Sequence, residues 1–321
     1  MTDAQTLEIL GYEAFLRRAS ELDLPFMLKG SYVTRQYFPD PTLRIPQDLD
    51  WVYLSPIGSG EEARQLFDTW ATLVTERQLA DGVVLRSFQQ DAFWRMIDYA
   101  MADDFPTVNT DVPFEVVGLG SDFLRIDISF NLPLDVPSEP LIYQPLQGEP
   151  FLLAHTTPLA LQVAWKLHQP LVRPRFKDLF DLLHLLRHPD FTPAARQQCL
   201  DTLRQECRAD NTDPTRLHWL LAGNLAPLFA DVPVATAWQM WRHDLPTPLF
   251  GFYERARIIT DASLLPAMLA EFQAQLREAF TQAGFDANSE QLLALSAPSA
   301  TRKEPSAEKR RFLDGLRNLF N

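Results

Sequence analysis

The chain has 321 residues, 46% of them hydrophobic, with a formal net charge of −13 and a pI near 4.9. That length and apolar share admit one large domain or two ordinary ones and exclude global disorder, while the acidic balance excludes broad electrostatic wrapping of nucleic acid but not a local basic cleft. Two cysteines, Cys199 and Cys207, exclude a disulfide scaffold; with no signal peptide and no apolar run of the roughly 20 residues that span a bilayer, a soluble cytoplasmic protein with no membrane partner is expected.

In chain order, residues 4–20 carry Leu7, Leu10 and Ala14 at helical spacing and predict an amphipathic helix. The apolar run 24–28 stops at Lys29, Gly30 and Ser31, which reads as strand, tight turn and then a helix over 32–38. After the loop Pro39, Asp40, Pro41, residues 47–54 have the β-branched and aromatic content of a strand. Residues 61–79 predict a helix; 83–88, 114–118 and 124–132 predict strands, with 118–122 as the turn between the last two. The character changes across the Pro/Gly-containing segment 144–150. Beyond it, 159–168, 178–186, 193–208, 216–228 and 264–283 show helical spacing with few strand signals. The expected fold class is α+β, a mixed sheet with flanking helices over 1–150, followed by a mainly helical domain over 151–295. Residues 296–308 read as a flexible linker, and the remainder to 321 as a short amphipathic tail helix with Phe312, Leu313, Leu316 and Phe320 on one side.

Chemistry concentrates in the first half. Asp48 and Asp50 stand two apart on a predicted strand, so both side chains leave one face while Leu49 and Trp51 point to the core. Two carboxylates on one face repel unless a cation sits between them, and a hard divalent ion is the natural candidate; the alternative is a pair of solvated acids. Asp127 interrupts Ile126, Ile128 and Phe130. Burying that carboxylate without a partner is costly, unless its strand is an edge with a wet face. If the two strands are neighbours, three carboxylates converge, enough to hold two metal ions about 3.5–4 Å apart for in-line displacement at phosphorus. Gly30 and Ser31, opening a helix, offer backbone N–H groups and a hydroxyl to a phosphate.

In the second half, Lys166 lies on an apolar helix beside Val163 and Leu167. It either snorkels to solvent or points into a cleft as a mobile charge for phosphate. Asp178 is either an N-terminal acid favoured by the helix dipole or an orienting partner for Lys166 or the base, and Asp181 reads as structural. Arg173 and Arg175 either reach polynucleotide phosphates or sit in a solvated loop. The six histidines show no zinc-binding spacing.

A Gly-Ser turn, a D-x-D strand and a later strand Asp resemble the pattern of the nucleotidyltransferase superfamily. More narrowly, Met27 to Ser31 (MLKGS) resembles the L-K-G-G/S segment of the AbiEii family, the toxins of type IV toxin–antitoxin and phage abortive-infection systems. Arg44 to Asp50 (RIPQDLD) resembles its R-x-S/T-x-D-x-D segment, with Pro46 in place of the hydroxyl residue. Leu161 to Leu167 resembles its A-E-K-L helix, with Trp165 in place of the Glu, and Arg173 to Leu182 resembles R-x-x-R-D-L-Y-D-L. The matches keep the family's order between residues 27 and 186.

The resemblance implies a nucleotidyltransferase-like fold and metal-dependent transfer of NMP from an NTP to an acceptor hydroxyl, on a tRNA 3′ end or a protein. It implies Mg²⁺ or Mn²⁺ at Asp48, Asp50 and Asp127, and nucleotide contacts from Lys29, Gly30, Ser31 and Lys166. Catalytic roles fall to Asp48, Asp50, Asp127, Lys166 and Asp178, and a cognate AbiEi-like antitoxin is the implied partner. The same motifs also suit an antibiotic-type nucleotidyltransferase acting on a small molecule, a catalytically silent nucleotide- or partner-binding module, and a glycosyltransferase using D-x-D.

Overall fold

Helix α1 (Asp3–Ser20) starts at a capping box: the Gln5 N–H donates to the Thr2 hydroxyl, and the Thr2 N–H donates to Gln5 Oε1. Two of the donors that a helix start leaves orphaned are thereby satisfied. The computed structural model describes residues 1–97, 105–229, 232–243, 248–249, 252–253, 259, 262–286 and 289, together with Phe312, Gly315, Leu316, Leu319 and Phe320. These divide into two units: Met1–Gln36, Ile45–Thr157 and Lys303–Asn321 form the first, Tyr37–Arg44 and Pro158–Arg302 the second.

After α1 the first unit contains β1 (Phe26–Lys29), α2 (Ser31–Thr34), β2 (Leu49–Tyr53), α3 (Gly60–Glu76), β3 (Val83–Leu85), β4 (Arg95–Met96), β5 (Thr107–Val116), β6 (Gly120–Phe130), β7 (Glu139–Tyr143) and β8 (Phe151–Thr156). Among the described residues the sheet runs β3-β5-β6-β2-β1-β8-β7, with β4 beside β5. β2 pairs with β6, and β1 with β8, in parallel; the other neighbours are antiparallel, so the sheet is mixed. Its core face follows from alternation. Leu28, Trp51 and Ile128 share one register line, Leu49 and Ile126 the next, and all five are buried. Trp70 of α3 meets Trp51 edge-on at 5.3 Å, stacks on Phe26 at 4.2 Å and meets Phe15 of α1 at 5.5 Å. Burying each such side chain stabilises by roughly 1.5–3 kcal/mol.

The second unit is helical: α4 (Leu159–Val172), α5 (Phe176–Leu185), α6 (Pro193–Ala209), α7 (Leu217–Leu221), α8 (Val234–Arg242) and α9 (Leu269–Gln282), with a two-residue strand pair at Pro248–Leu249 and Phe252–Tyr253. Its core gathers Phe176, Trp238 and Phe272, with Trp238 4.8 Å from Phe272 and 5.2 Å from Phe176.

Several elements differ from the sequence pattern. β5 starts at Thr107 rather than 114, because polar Asn109 and Asp111 and the proline Pro113 on one face hide the strand signal. β7 and β8 complete the sheet, so the change to helix falls after Thr157 rather than within 144–150. The helix expected over 216–228 shrinks to Leu217–Leu221 behind a Pro214–Arg216 3₁₀ turn, and α9 starts only at Leu269, past Pro266. The expected linker over 296–308 and Leu313 of the tail lie outside the described residues. No helix among the described residues is long and apolar enough to cross a membrane.

Candidate active site

The face of the first unit's sheet opposite the aromatic core carries a polar row that crosses several strands. Lys29 of β1 is the register partner of Asp50, Asp50 of β2 is the partner of Asp127, and Asp127 of β6 is the partner of Asn109 on β5. Strand pairing alone therefore sets Asp50 and Asp127 side by side, an arrangement of like charges that is destabilising without compensation. Asp48 lies just before the start of β2 rather than within it, and its charge, like that of Asp50, acts on Asp127.

Compensation comes from both ends of the row. Lys29 Nζ donates to Asp50 Oδ1 at 3.3 Å, and Asn109 Nδ2 donates to Asp127 Oδ1 at 3.1 Å. It is incomplete. Asp127 is 6% exposed; burial first, then the charges of Asp50 and Asp48, push its pKa up to about 7 against the opposing pull of Asn109 and Lys29.

The Gly30–Ser31 turn closes over this row. Gly30 has φ +74°, a conformation that costs other residues energy. A Cβ there would stand 2.2 Å from Asp50 Oδ2, so glycine is required twice, by the backbone and by the neighbouring acid. Ser31 is buried, and its Oγ has no hydrogen-bond partner among the described residues. A buried hydroxyl left without a partner is costly, which fits a group kept for a ligand.

Helix α1 holds the frame. Tyr12 Oη donates to the Gln47 carbonyl at 2.8 Å and accepts from the Arg125 N–H at 3.0 Å, tying the residue before Asp48 to the strand of Asp127. Behind the turn, Arg35 donates to Glu13 at 2.9 Å and to the Tyr143 hydroxyl at 3.2 Å, all three buried.

The three acids offer a hard, all-oxygen donor set suited to a divalent cation, and the elevated pKa of Asp127 is what burial, with two further carboxylates facing it, produces. Among the described residues, no three His, Cys, Asp or Glu side chains stand ready-gathered as a metal cage.

The second unit has its own charged chain. Lys166 Nζ donates to Asp178 at 2.7 Å and lies 2.9 Å from Asp181. Arg175 donates to Asp178 at 2.6 Å, and Arg44 donates to Asp181 at 2.8 Å. Burial works against the charge of Lys166, but Asp178 and Asp181 outweigh it and hold its pKa above the ordinary lysine value. Burial likewise opposes ionisation of Asp178, yet Arg175 and then Lys166 keep it well below the usual carboxylate range. Lys166 is thus a fixed cation and Asp178 a fixed anion. Asp181, expected to be structural, shares Lys166 directly.

Asn109 and Tyr12 carry no signal in the sequence. Neither belongs to a motif; each gains its role from register or from a helix packed on the sheet.

A family model described as nucleotidyl transferase AbiEii toxin, type IV toxin–antitoxin system, matches residues 14–314. Among solved structures, MenT4, a nucleotidyltransferase toxin of Mycobacterium tuberculosis H37Rv, is 17% identical with a TM-score of 0.48, covering 100% of both chains. An H. pylori protein provisionally assigned as a nucleotidyltransferase is 15% identical with a TM-score of 0.43, over 89% of this chain and 96% of its own. No curated protein matches.

Proposed function

Because the chain belongs to the AbiEii family of nucleotidyltransferase toxins of type IV toxin–antitoxin systems, we propose that it transfers a nucleoside monophosphate from an NTP to an acceptor hydroxyl, on an RNA 3′ end such as that of tRNA or on a protein. Membership makes it a nucleotidyltransferase and implies an antitoxin; that this is an AbiEi-like protein acting on this enzyme is part of the proposal.

Lys29, Gly30 and Ser31 receive the outer phosphates of the nucleotide. Gly30 leaves room for close approach, the Ser31 hydroxyl supplies a donor, and Lys29 supplies charge. Asp48, Asp50 and Asp127 would hold Mg²⁺ or Mn²⁺, which when bound neutralises phosphate charge. The acceptor oxygen forms a bond to the α-phosphorus as the bond from that phosphorus to the bridging oxygen breaks, and pyrophosphate leaves with the electron pair. Asp127, the most buried of the three acids and the one held by Asn109, accepts the hydroxyl proton. In the second unit, Lys166 is a permanent cation of the kind that binds phosphate, kept in one orientation by Asp178 and Asp181.

What supports this reading above all is the row Lys29, Asp50, Asp127 beside a turn where a Cβ would collide with the acid and a buried hydroxyl stands without a partner among the described residues. The test is incubation with each labelled NTP and total cellular RNA or protein, wild type against Asp50→Ala. Wild type should label one acceptor class from a preferred nucleotide. Asp50→Ala should lose at least about 100-fold in rate, the scale of removing a principal electrostatic group from an active site. A wild-type protein that labels nothing with any of the four nucleotides rejects the reading.

A further inference from the structure

The polar row does not end at Asp127. Asn109 is its register partner on β5, and Arg95 of β4 is in turn the register partner of Asn109, so three strands continue the line away from Asp50. Arg95 Nε donates to Asn109 Oδ1 at 2.9 Å, and Asn109 Nδ2 donates to Asp127 Oδ1 at 3.1 Å. Asn109 is 8% exposed, so the bond to Asp127 is made away from bulk water.

An asparagine amide can present either its oxygen or its nitrogen to a neighbour, and the wrong choice would aim a carbonyl at a carboxylate. A guanidinium carries only donors, so Arg95 admits one orientation alone, with the amide oxygen toward itself and the NH₂ group toward Asp127. The guanidinium is itself held in place. It pairs with Asp111 two residues along β5 and lies 5.2 Å from the centre of the Phe93 ring. One oxygen of Asp127 is therefore committed to Asn109, which fixes the carboxylate plane.

We propose that Asn109 is a positioning residue that fixes the Asp127 carboxylate for nucleotidyl transfer, and that Arg95 sets the amide orientation in which Asn109 does so. The role rests on the transfer reading above, in which Asp127 meets both acceptor and cation. Without Asn109 the carboxylate rotates and shares its two oxygens among several poses. Without Arg95 the amide flips and loses the bond in part of the population. Arg95 thus acts only through Asn109.

The test compares wild type, Asn109→Ala, Arg95→Gln and the double variant in steady-state transfer, with Mn²⁺ binding to nucleotide-free protein followed by electron paramagnetic resonance. Asn109→Ala should lower kcat by roughly 10- to 100-fold with the KM for NTP nearly unchanged, and weaken Mn²⁺ binding by a similar factor, the usual effect of removing an outer partner of a ligating side chain. Arg95→Gln should cost several-fold alone and nothing further in the Asn109→Ala background. Wild-type kcat in Asn109→Ala, or an Arg95→Gln penalty of equal size in both backgrounds, overturns the proposal. If Asn109→Ala fails to fold, Arg95→Gln at its exposed position carries the test, and an unchanged kcat there is equally fatal. If wild type transfers nothing, the function itself is wrong; Mn²⁺ affinities equal in wild type and Asn109→Ala then remove the positioning role as well.

Discussion

Burial and the facing charges of Asp50 and Asp48 push the Asp127 pKa up to about 7; in the unfolded chain the same side chain titrates near 3.9. Between about pH 4 and 7 the native protein keeps a proton that the unfolded chain has released, so this residue lowers stability progressively as pH rises through that window and imposes its full cost above it. Asp127→Asn keeps the shape and removes the charge. In EDTA at pH 8 the variant should melt roughly 5 °C above wild type, and at pH 4.5 the two should nearly coincide. Differential scanning calorimetry at the two pH values decides it, and an equal offset at both would show that ionisation of Asp127 is not what the site resists. The tension is partly readable in the sequence. A carboxylate alternating with Ile126, Ile128 and Phe130 signals a buried acid needing a partner, and D-x-D supplies candidates. Asn109 leaves no such trace. It sits in the polar run Asn109, Thr110, Asp111, and its importance depends on β5 being the strand next to Asp127 at that register, a fact no local pattern carries.

At the scale of elements, the strands that carry the acid row are fixed from outside the sheet. Tyr12 is buried on α1, and burial holds its phenol far from ionisation, so its hydroxyl is available both to donate to Gln47 and to accept from Arg125. That oxygen ties the segment entering β2 to the middle of β6, one step before Asp48 and two before Asp127. Tyr12→Phe keeps the ring and its packing but removes the hydroxyl that both backbone groups use, at a cost of about 1–3 kcal/mol. Melting should fall by several degrees and kcat by a larger factor than the KM for NTP. Wild-type melting and wild-type kcat in the variant would show the tie to be incidental. Helix α1 itself is plain in the sequence, since Leu7, Leu10 and Ala14 recur at helical spacing. Strands β7 and β8 are not, being short, partly exposed and flanked by proline. Helix α8 shows the opposite failure: Pro233 precedes it as a start signal, and Trp238 and Trp241 mark its buried side, but the element is only nine residues long.

At the scale of the whole chain, hydrophobic patterning reads neighbours along the sequence and has no means of showing where the chain returns. The first unit takes in Lys303–Asn321 as well as its two earlier stretches, and Tyr37–Arg44 is counted with the second. A linker followed by a short amphipathic helix is what the last residues suggest, and an independent tail would leave stability untouched when removed. The contacts argue otherwise. Leu316 is 0% and Phe320 3% exposed, and the position a Cβ would take on Gly60, the first residue of α3, lies 3.2 Å from Leu316 Cδ2 and 3.3 Å from Leu319 Cδ2. Truncating a fully buried leucine typically costs about 2–5 kcal/mol. Leu316→Ala should therefore lower the melting temperature by roughly 5–10 °C, and deletion of 303–321 should lower it further. A larger residue at position 60 should reproduce the loss from the other side, because the tail must withdraw to admit it; Gly60→Leu tests this without touching the tail. Melting curves that coincide for wild type and the deletion would return the last nineteen residues to the role of a free appendage, with Leu316 and Phe320 contributing nothing to the first unit's core.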